Sequence, residues 1–411
     1  MSLLSFEPFF RDDIYVCISL FRVGPPQTIS ISAYYADLSP SKNFFSRQLS
    51  PDKTRKSHLD FLALVRIGIG HGITVPLSDI DWSAVRALAE RQGLYAVALD
   101  GIEKLPSNIR PPQDVLLEWI GEVLQGYEHT YEDYCNTIGE LAGFYNSHGY
   151  KMMVLKGYAC SLDWPKPNHR PCGDIDIWLF GEQKKADEAL QNAQGPEFKI
   201  DKSHQHHTIF TWRDFMVENH YDFINAYRHK SNEEQELLFK ELGKDDSFFC
   251  ELNGEKVYLP SPNLHSFFLL RHMFAHFVSS EISIRNVMDW AFYVQNHRAE
   301  INWDWLLRLL DKYGMTPFFQ IINAICVEDL GFNSRIFPTV QFLPDLKERV
   351  KSDILHPEFS GIEPKWLFPR VIFKFRRWKA NEWKQRLCYK ESMISDFWTG
   401  VWNHLLKPAS I

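Results

Sequence analysis

The chain has 411 residues, enough for two or three packed units and a large buried core, so size alone excludes little. Its 45 Lys+Arg against 52 Asp+Glu give a formal net charge of -7, which excludes a global basic field and leaves nucleic acid disfavoured as a partner. Seven cysteines, an odd number without CxxC spacing, suit free thiols in a reducing compartment, and the cytoplasm is the expected address.

Residues 1–57 form an atypical preface. The stretch "ISISAYYADLSPSKNFFSRQLSPDKTRKS" is rich in Ser, Pro and Lys and reads as loop or disorder. The apolar segments at the N-terminus are broken by Arg11, Asp12 and Asp13, which fits neither a signal peptide nor a membrane span. Residues 58–149 carry helical periodicity. Asp81 is placed to cap the helix that follows it, so the first "DID", Asp79 to Asp81, reads as a helix start. The run from Pro111 to Gly149 is long enough for a major helix.

Residues 150–260 change the period from helical to alternating. "YKMMVLKG" reads as a short strand ending in Lys156 and Gly157, and "GDIDIWLF" as a second strand. A helix over "EQKKADEALQNA" follows, then two strands, "HHTIFTWRD" and "FMVENHYDFI", joined by a tight turn near Arg213 and Asp214. In the second strand Ile175 and Ile177 point one way while Asp174 and Asp176 point the other, toward solvent. Two carboxylates held that close repel one another unless a cation or hydrogen-bond donors neutralise them. Glu218, His220 and Asp222 share one face of the last strand, so a third acid is available. Residues 261–411 return to amphipathic helices.

Such parts suit two-metal phosphoryl transfer. Mg²⁺ is hard and is held by a few carboxylates plus substrate phosphates, and two ions can stabilise the attacking and leaving oxygens together. Gly157 permits close backbone approach to a phosphate, Lys156 supplies a point charge, and Arg170 offers a rigid anion clamp, unless it pairs with an acid of the C-terminal region instead. The histidines of "SHQHH", His204, His206 and His207, match no standard zinc spacing and read as a polar loop entering a strand. His272 and His276 lack the glutamate of HExxH; with Arg285 and Asp289 they either line a cleft or pack within helices. The basic aromatic segment from Phe368 to Glu391 reads as core packing with basic side chains reaching solvent.

The string "MMVLKGYACSLDWPKPNHRPCGDIDIWL", with the later "MVENHYDF", resembles an uncharacterised bacterial nucleotidyltransferase-like family of the DNA polymerase beta superfamily, whose signature is LKG, an Arg, DID and a vElH strand. The resemblance covers most of the chain from about residue 58 and implies an α+β fold, a minimal nucleotidyltransferase mixed sheet flanked by N-terminal and C-terminal helical regions. It implies Asp174 and Asp176 bridging two Mg²⁺ ions, Glu218 as the third acid, and transfer of NMP from an NTP, with ATP expected, to a hydroxyl of an unknown acceptor, a small molecule or a protein. The chain departs from the superfamily in having Lys156-Gly157 for Gly-Gly or Gly-Ser, Glu218 for Asp, and Asn219 at an apolar position. Two alternatives stay open: a non-catalytic nucleotide-binding or antitoxin-like interaction protein, and a metal-dependent phosphohydrolase, which requires His204, His206 or His207 beside Asp174.

Overall fold

The computed structural model describes residues 51–73, 76–204, 206–225, 230–338, 343–361 and 363–390. Most of the preface, residues 1–50, lies outside them. Helix α1 (Pro51–Gly68) opens with a proline in its first turn and Asp52 beside its free amides, both of which favour a helix start. Residues 51–57, expected as loop, are therefore its first turns. Helix α2 (Trp82–Arg91) is capped by Asp81, whose carboxylate accepts from the Ala84 N–H at 3.0 Å, so the first "DID" is a helix start. Helix α3 (Tyr95–Glu103) packs against α1. The expected long helix is present as α4 (Gln113–Val123) and α5 (Thr130–Ser147), continuous through a π-helical turn at Leu124–His129.

The alternating region builds a mixed sheet. Its parts are β1 (Met153–Val154), the short helix α6 (Tyr158–Ser161), β2 (Ile175–Trp178), α7 (Gln183–Gln194), β3 (His207–Trp212), β4 (Phe215–His220), α8 (Lys230–Leu242), β5 (Phe249–Leu252) and β6 (Glu255–Tyr258). Six strands lie in the order β3-β4-β2-β1-β6-β5, with β2 parallel to β4 and β1 parallel to β6, and with β3–β4, β1–β2 and β5–β6 antiparallel. The β3–β4 turn is at Arg213, which takes a positive φ of 51°. The β5–β6 hairpin turns through Asn253 and Gly254, both with positive φ, as a two-residue turn between twisted strands requires.

Alternation along the strands divides the sheet into two faces. Ile175, Ile177 and Val217 pack with Tyr134, Ile138 and Leu141 of α5 and with Ala186 and Leu190 of α7, all buried. Burial of each large aliphatic side chain there contributes roughly 1.5–3 kcal/mol. The other face contributes Met153, Leu155 and Trp178 to a larger helical core. That core draws on α1 to α3 and on α9 (Pro262–Ser279), α10 (Ile284–His297), α11 (Trp303–Tyr313), α12 (Thr316–Ala324) and α13 (Pro344–Leu355). The fold is thus α+β, a six-stranded mixed sheet flanked by helices on both sides of the sequence. Helix α5 precedes the expected boundary at residue 150 yet covers one face of the sheet.

Two C-terminal helices, α14 (Leu367–Ala380) and α15 (Glu382–Cys388), complete the described chain. In α15 Lys384 is buried against Asp353, with Nζ 2.5 Å from Oδ2. In α14 Arg370, Lys374 and Arg377 gather around Glu363, while Trp366, Val371, Ile372 and Phe375 are exposed, so its aromatic side is less completely packed than the sequence suggests. Among the described residues no helix is long and apolar enough to cross a membrane.

Candidate functional site

The site grows from the parallel pairing of β2 and β4. In their register Asp176 stands beside Glu218 and Trp178 beside His220, so the acids of both strands share the face opposite Ile175, Ile177 and Val217. Asp174 precedes β2 by one residue and is exposed; Asp176 is only 5% exposed. The expectation that both aspartates face solvent therefore holds for Asp174 alone. Burial of Asp176 follows from its neighbours: Lys156 Nζ lies 2.6 Å from Asp176 Oδ1, and His220 Nε2 lies 3.0 Å from the same oxygen.

His220 joins the acids. Its Nε2 is also 3.4 Å from Glu218 Oε2, and its Nδ1 bonds the Asp222 carbonyl at 3.2 Å. Asp222 turns its own carboxylate to Lys240 of α8 and leaves the acid row. Burial alone raises a carboxyl, but at Asp176 Lys156 and His220 outweigh it and hold the group below the ordinary carboxylate range. Glu218 is likewise lowered, burial being outweighed chiefly by the His220 hydrogen bond. Burial would depress His220, yet its bonds to Asp176 and Glu218 raise it. Asp174 moves the other way. Burial, then Glu218 and Asp176, push its carboxyl up, because Lys156 opposes them only weakly there.

Lys156 and Gly157 sit where β1 turns into α6. Gly157 has φ +50°, and a Cβ at this position would lie 2.2 Å from the Tyr134 hydroxyl, which donates to the Asp174 carbonyl at 3.1 Å. Glycine is required here sterically, and the turn is tied to the first aspartate of the "DID" strand through one buried tyrosine. Arg170 is not brought to the open side of the carboxylates. Its guanidinium is buried and grips Asp289 of α10 with two bonds, Nε to Oδ1 at 2.8 Å and Nη2 to Oδ2 at 3.0 Å, while Nη1 donates to the Pro171 carbonyl. The Trp164 indole donates to Asp289 as well. This is the pairing with a C-terminal acid that the sequence left as the alternative for Arg170, and it anchors the segment leading into Asp174.

The helical side brings further groups. His272 and His276 of α9, with ring centroids 4.3 Å apart, stand within electrostatic reach of Lys156 and Asp176; burial, then Lys156, holds both well below an ordinary imidazole. Arg285 of α10 makes no hydrogen bond or ion pair among the described residues, and burial followed by the nearby Arg170 lowers its guanidinium. From the other edge, His207 opens β3 opposite His220, with its Nδ1 3.9 Å from Glu218 Oε2. His204 stays outside, near Asp201. The odd Asn219 is also explained: on the reverse face its amide donates to Asp187 of α7 at 2.8 Å, and Thr208 donates to the other oxygen of the same carboxylate.

Oxygens of Asp176 and Glu218 and a nitrogen of His220 all lie within 4.8 Å of one another. With Asp174 beside them, three carboxylates share Lys156 and His220 in a donor set rich in hard oxygen, which fits a divalent metal ion. His220 is the residue that sequence reasoning left out of the site, although its spacing of two from Glu218 was the available signal. Searches of curated proteins and of solved structures found no match to the chain. Residues 78–331 match the model of a protein family described as an uncharacterised nucleotidyltransferase. With that match spanning more than half of its length, over the sheet and the acid row, the chain belongs to this nucleotidyltransferase family.

Proposed function

We propose that this chain transfers NMP from an NTP, with ATP as the first nucleotide to test, to a hydroxyl of a small-molecule or protein acceptor, releasing pyrophosphate. The observation that carries the reading is the row of Asp174, Asp176 and Glu218 on one face of two paired parallel strands, with Lys156 and His220 as its immediate cations. Asp174, Asp176 and Glu218 would hold Mg²⁺, which when bound neutralises phosphate charge and activates the acceptor hydroxyl.

The chain's own residues supply the rest. His220 braces Asp176 and Glu218 against each other through hydrogen bonds, which fixes the spacing of the two acids. Lys156, on the glycine turn, offers its ammonium to a phosphate from beside the acid row. Arg285, a cation with no hydrogen-bond or ion-pair partner among the described residues, is the second phosphate contact in this reading, in place of Arg170. Arg170 acts at one remove, holding the approach to Asp174 through Asp289. In this reading residues 150–260 form the catalytic core, α5 is its structural cover, and the helices after residue 261 supply the far wall. The six described cysteines, all free, suit a cytoplasmic enzyme. The test is Mg²⁺-dependent release of pyrophosphate from each NTP by the full chain, which Asp174→Asn is expected to remove; equal release by wild type and variant would overturn the assignment.

A further inference from the structure

The acid row continues into a cluster of imidazoles of which the transfer reading uses only His220. His206, His207 and His220 each place a ring nitrogen within 4.8 Å of the others. His207 is 6% exposed and His220 3%. Nδ1 of His206 and both nitrogens of His207 are buried away from solvent and make no hydrogen bond among the described residues. Buried polar atoms are ordinarily satisfied, so the unpartnered nitrogens of two neighbouring rings, His206 and His207, call for a missing partner.

That partner has to accept electron pairs from nitrogen. The His206 turn is held over the end of β4 because its carbonyl accepts from the N–H groups of both Tyr221 and Asp222, so the cluster is backed by main chain. The ring of His206 lies 4.2 Å from that of His207 and 5.8 Å from that of His220, centroid to centroid. To ligate an ion His220 turns Nε2 away from Asp176 Oδ1, 3.0 Å off, while its Nδ1 keeps the bond to the Asp222 carbonyl that orients metal-bound imidazoles. Glu218 Oε2 stands 3.4 Å from His220 Nε2 and 3.9 Å from His207 Nδ1, a fourth donor at the junction with the acid row.

We propose that His206, His207 and His220, with Glu218 as fourth ligand, form a binding site for a divalent transition ion of the Zn²⁺ class at the edge of the acid row. Imidazole selects such ions, whereas Mg²⁺ prefers oxygen, so the two ends of the pocket differ in the metal they take. An ion here ties the turn before β3 to the end of β4 and fixes Glu218. The site does not rest on nucleotidyl transfer: a chain that bound no NTP would still hold zinc.

The experiment is equilibrium dialysis of the full chain against Zn²⁺ in excess Mg²⁺, with metal content read by mass spectrometry, on wild type, His206→Gln, His207→Gln and Asp174→Asn. One Zn²⁺ per wild-type chain is expected, lost in both histidine variants and kept in Asp174→Asn. No stoichiometric zinc on folded wild type would overturn the site. So would zinc that survives the histidine changes and vanishes with Asp174→Asn, which would place the ion on the carboxylates. Because a histidine variant can fail to fold, the wild type is also loaded with Co²⁺. Intense visible absorption of a tetrahedral, nitrogen-rich site supports the proposal, and the weak spectrum of an oxygen-ligated octahedral ion contradicts it.

Discussion

Replacing Gly157 by alanine tests how tightly the glycine turn is built into the site. Two costs follow from the geometry. A side chain at φ +50° carries backbone strain of about 1–3 kcal/mol. The added Cβ would lie 2.2 Å from the Tyr134 hydroxyl, and because Tyr134 is fully buried the overlap forces repacking that costs about 1–3 kcal/mol more. Gly157→Ala is thus expected to lose about 2–6 kcal/mol in chemical denaturation. Tyr134→Phe removes the clashing oxygen and leaves the ring carbon at 3.4 Å, an ordinary contact. In that background the same Gly157→Ala change should cost only its backbone share, about 1–3 kcal/mol. Unfolding midpoints of wild type, both single variants and the double variant close the cycle. Additive losses, or a Gly157→Ala protein as stable as wild type, would refute the claim that Tyr134 occupies the place of the missing side chain.

Two other predictions concern the supports of the site. Glu236 of α8 accepts from the N–H groups of Phe223 and Ile224, just beyond β4, and burial raises its carboxyl to about 7 despite those bonds. Because the folded state then holds its proton to higher pH than the unfolded state, stability is fully present below the ordinary glutamate range and falls as pH rises toward about 7, by about 3 kcal/mol in total. Glu236→Gln should flatten that slope in denaturation measured across the window, and an unchanged slope would contradict it. Asp289→Asn leaves the buried Arg170 without its counter-charge and should cost about 3–5 kcal/mol, whereas a loss below about 1 kcal/mol would show that the pair does not anchor the segment before Asp174.

Local pattern carried much of the fold. Alternating Asp174, Ile175, Asp176 and Ile177 identified a strand with an acidic face, and the β3–β4 hairpin was legible from two apolar runs around Arg213 and Asp214. The β5–β6 hairpin has its own local signal in Asn253-Gly254 between short alternating runs, a strong turn pattern. What the sequence does not display is pairing across distance. Arg170 and Asp289 are 119 positions apart, and no local feature of "NHRPCGD" says that its arginine turns inward. The unequal exposure of Asp174 and Asp176 has the same origin, since it depends on Lys156 and His220, which come from other strands and turns. Asn219 read as a departure from the family pattern because its partner, Asp187, is on a helix rather than on the strand. The spacing within "SHQHH" matches no standard zinc site, yet hairpin register brings His207 opposite His220.

The central claim is that the acid row is a working metal and nucleotide site. The most direct measurement is calorimetric binding of each NTP, with and without Mg²⁺, to wild type and to Asp174→Asn. Asp174 is the acid to change, because it is exposed and its loss leaves the buried Asp176 pairs with Lys156 and His220 in place. Mg²⁺-dependent binding of at least one NTP to the wild type, lost in Asp174→Asn at unchanged unfolding midpoint, is the expected result. A folded wild type that binds no NTP with Mg²⁺, or an Asp174→Asn variant that binds as well as wild type, would contradict it.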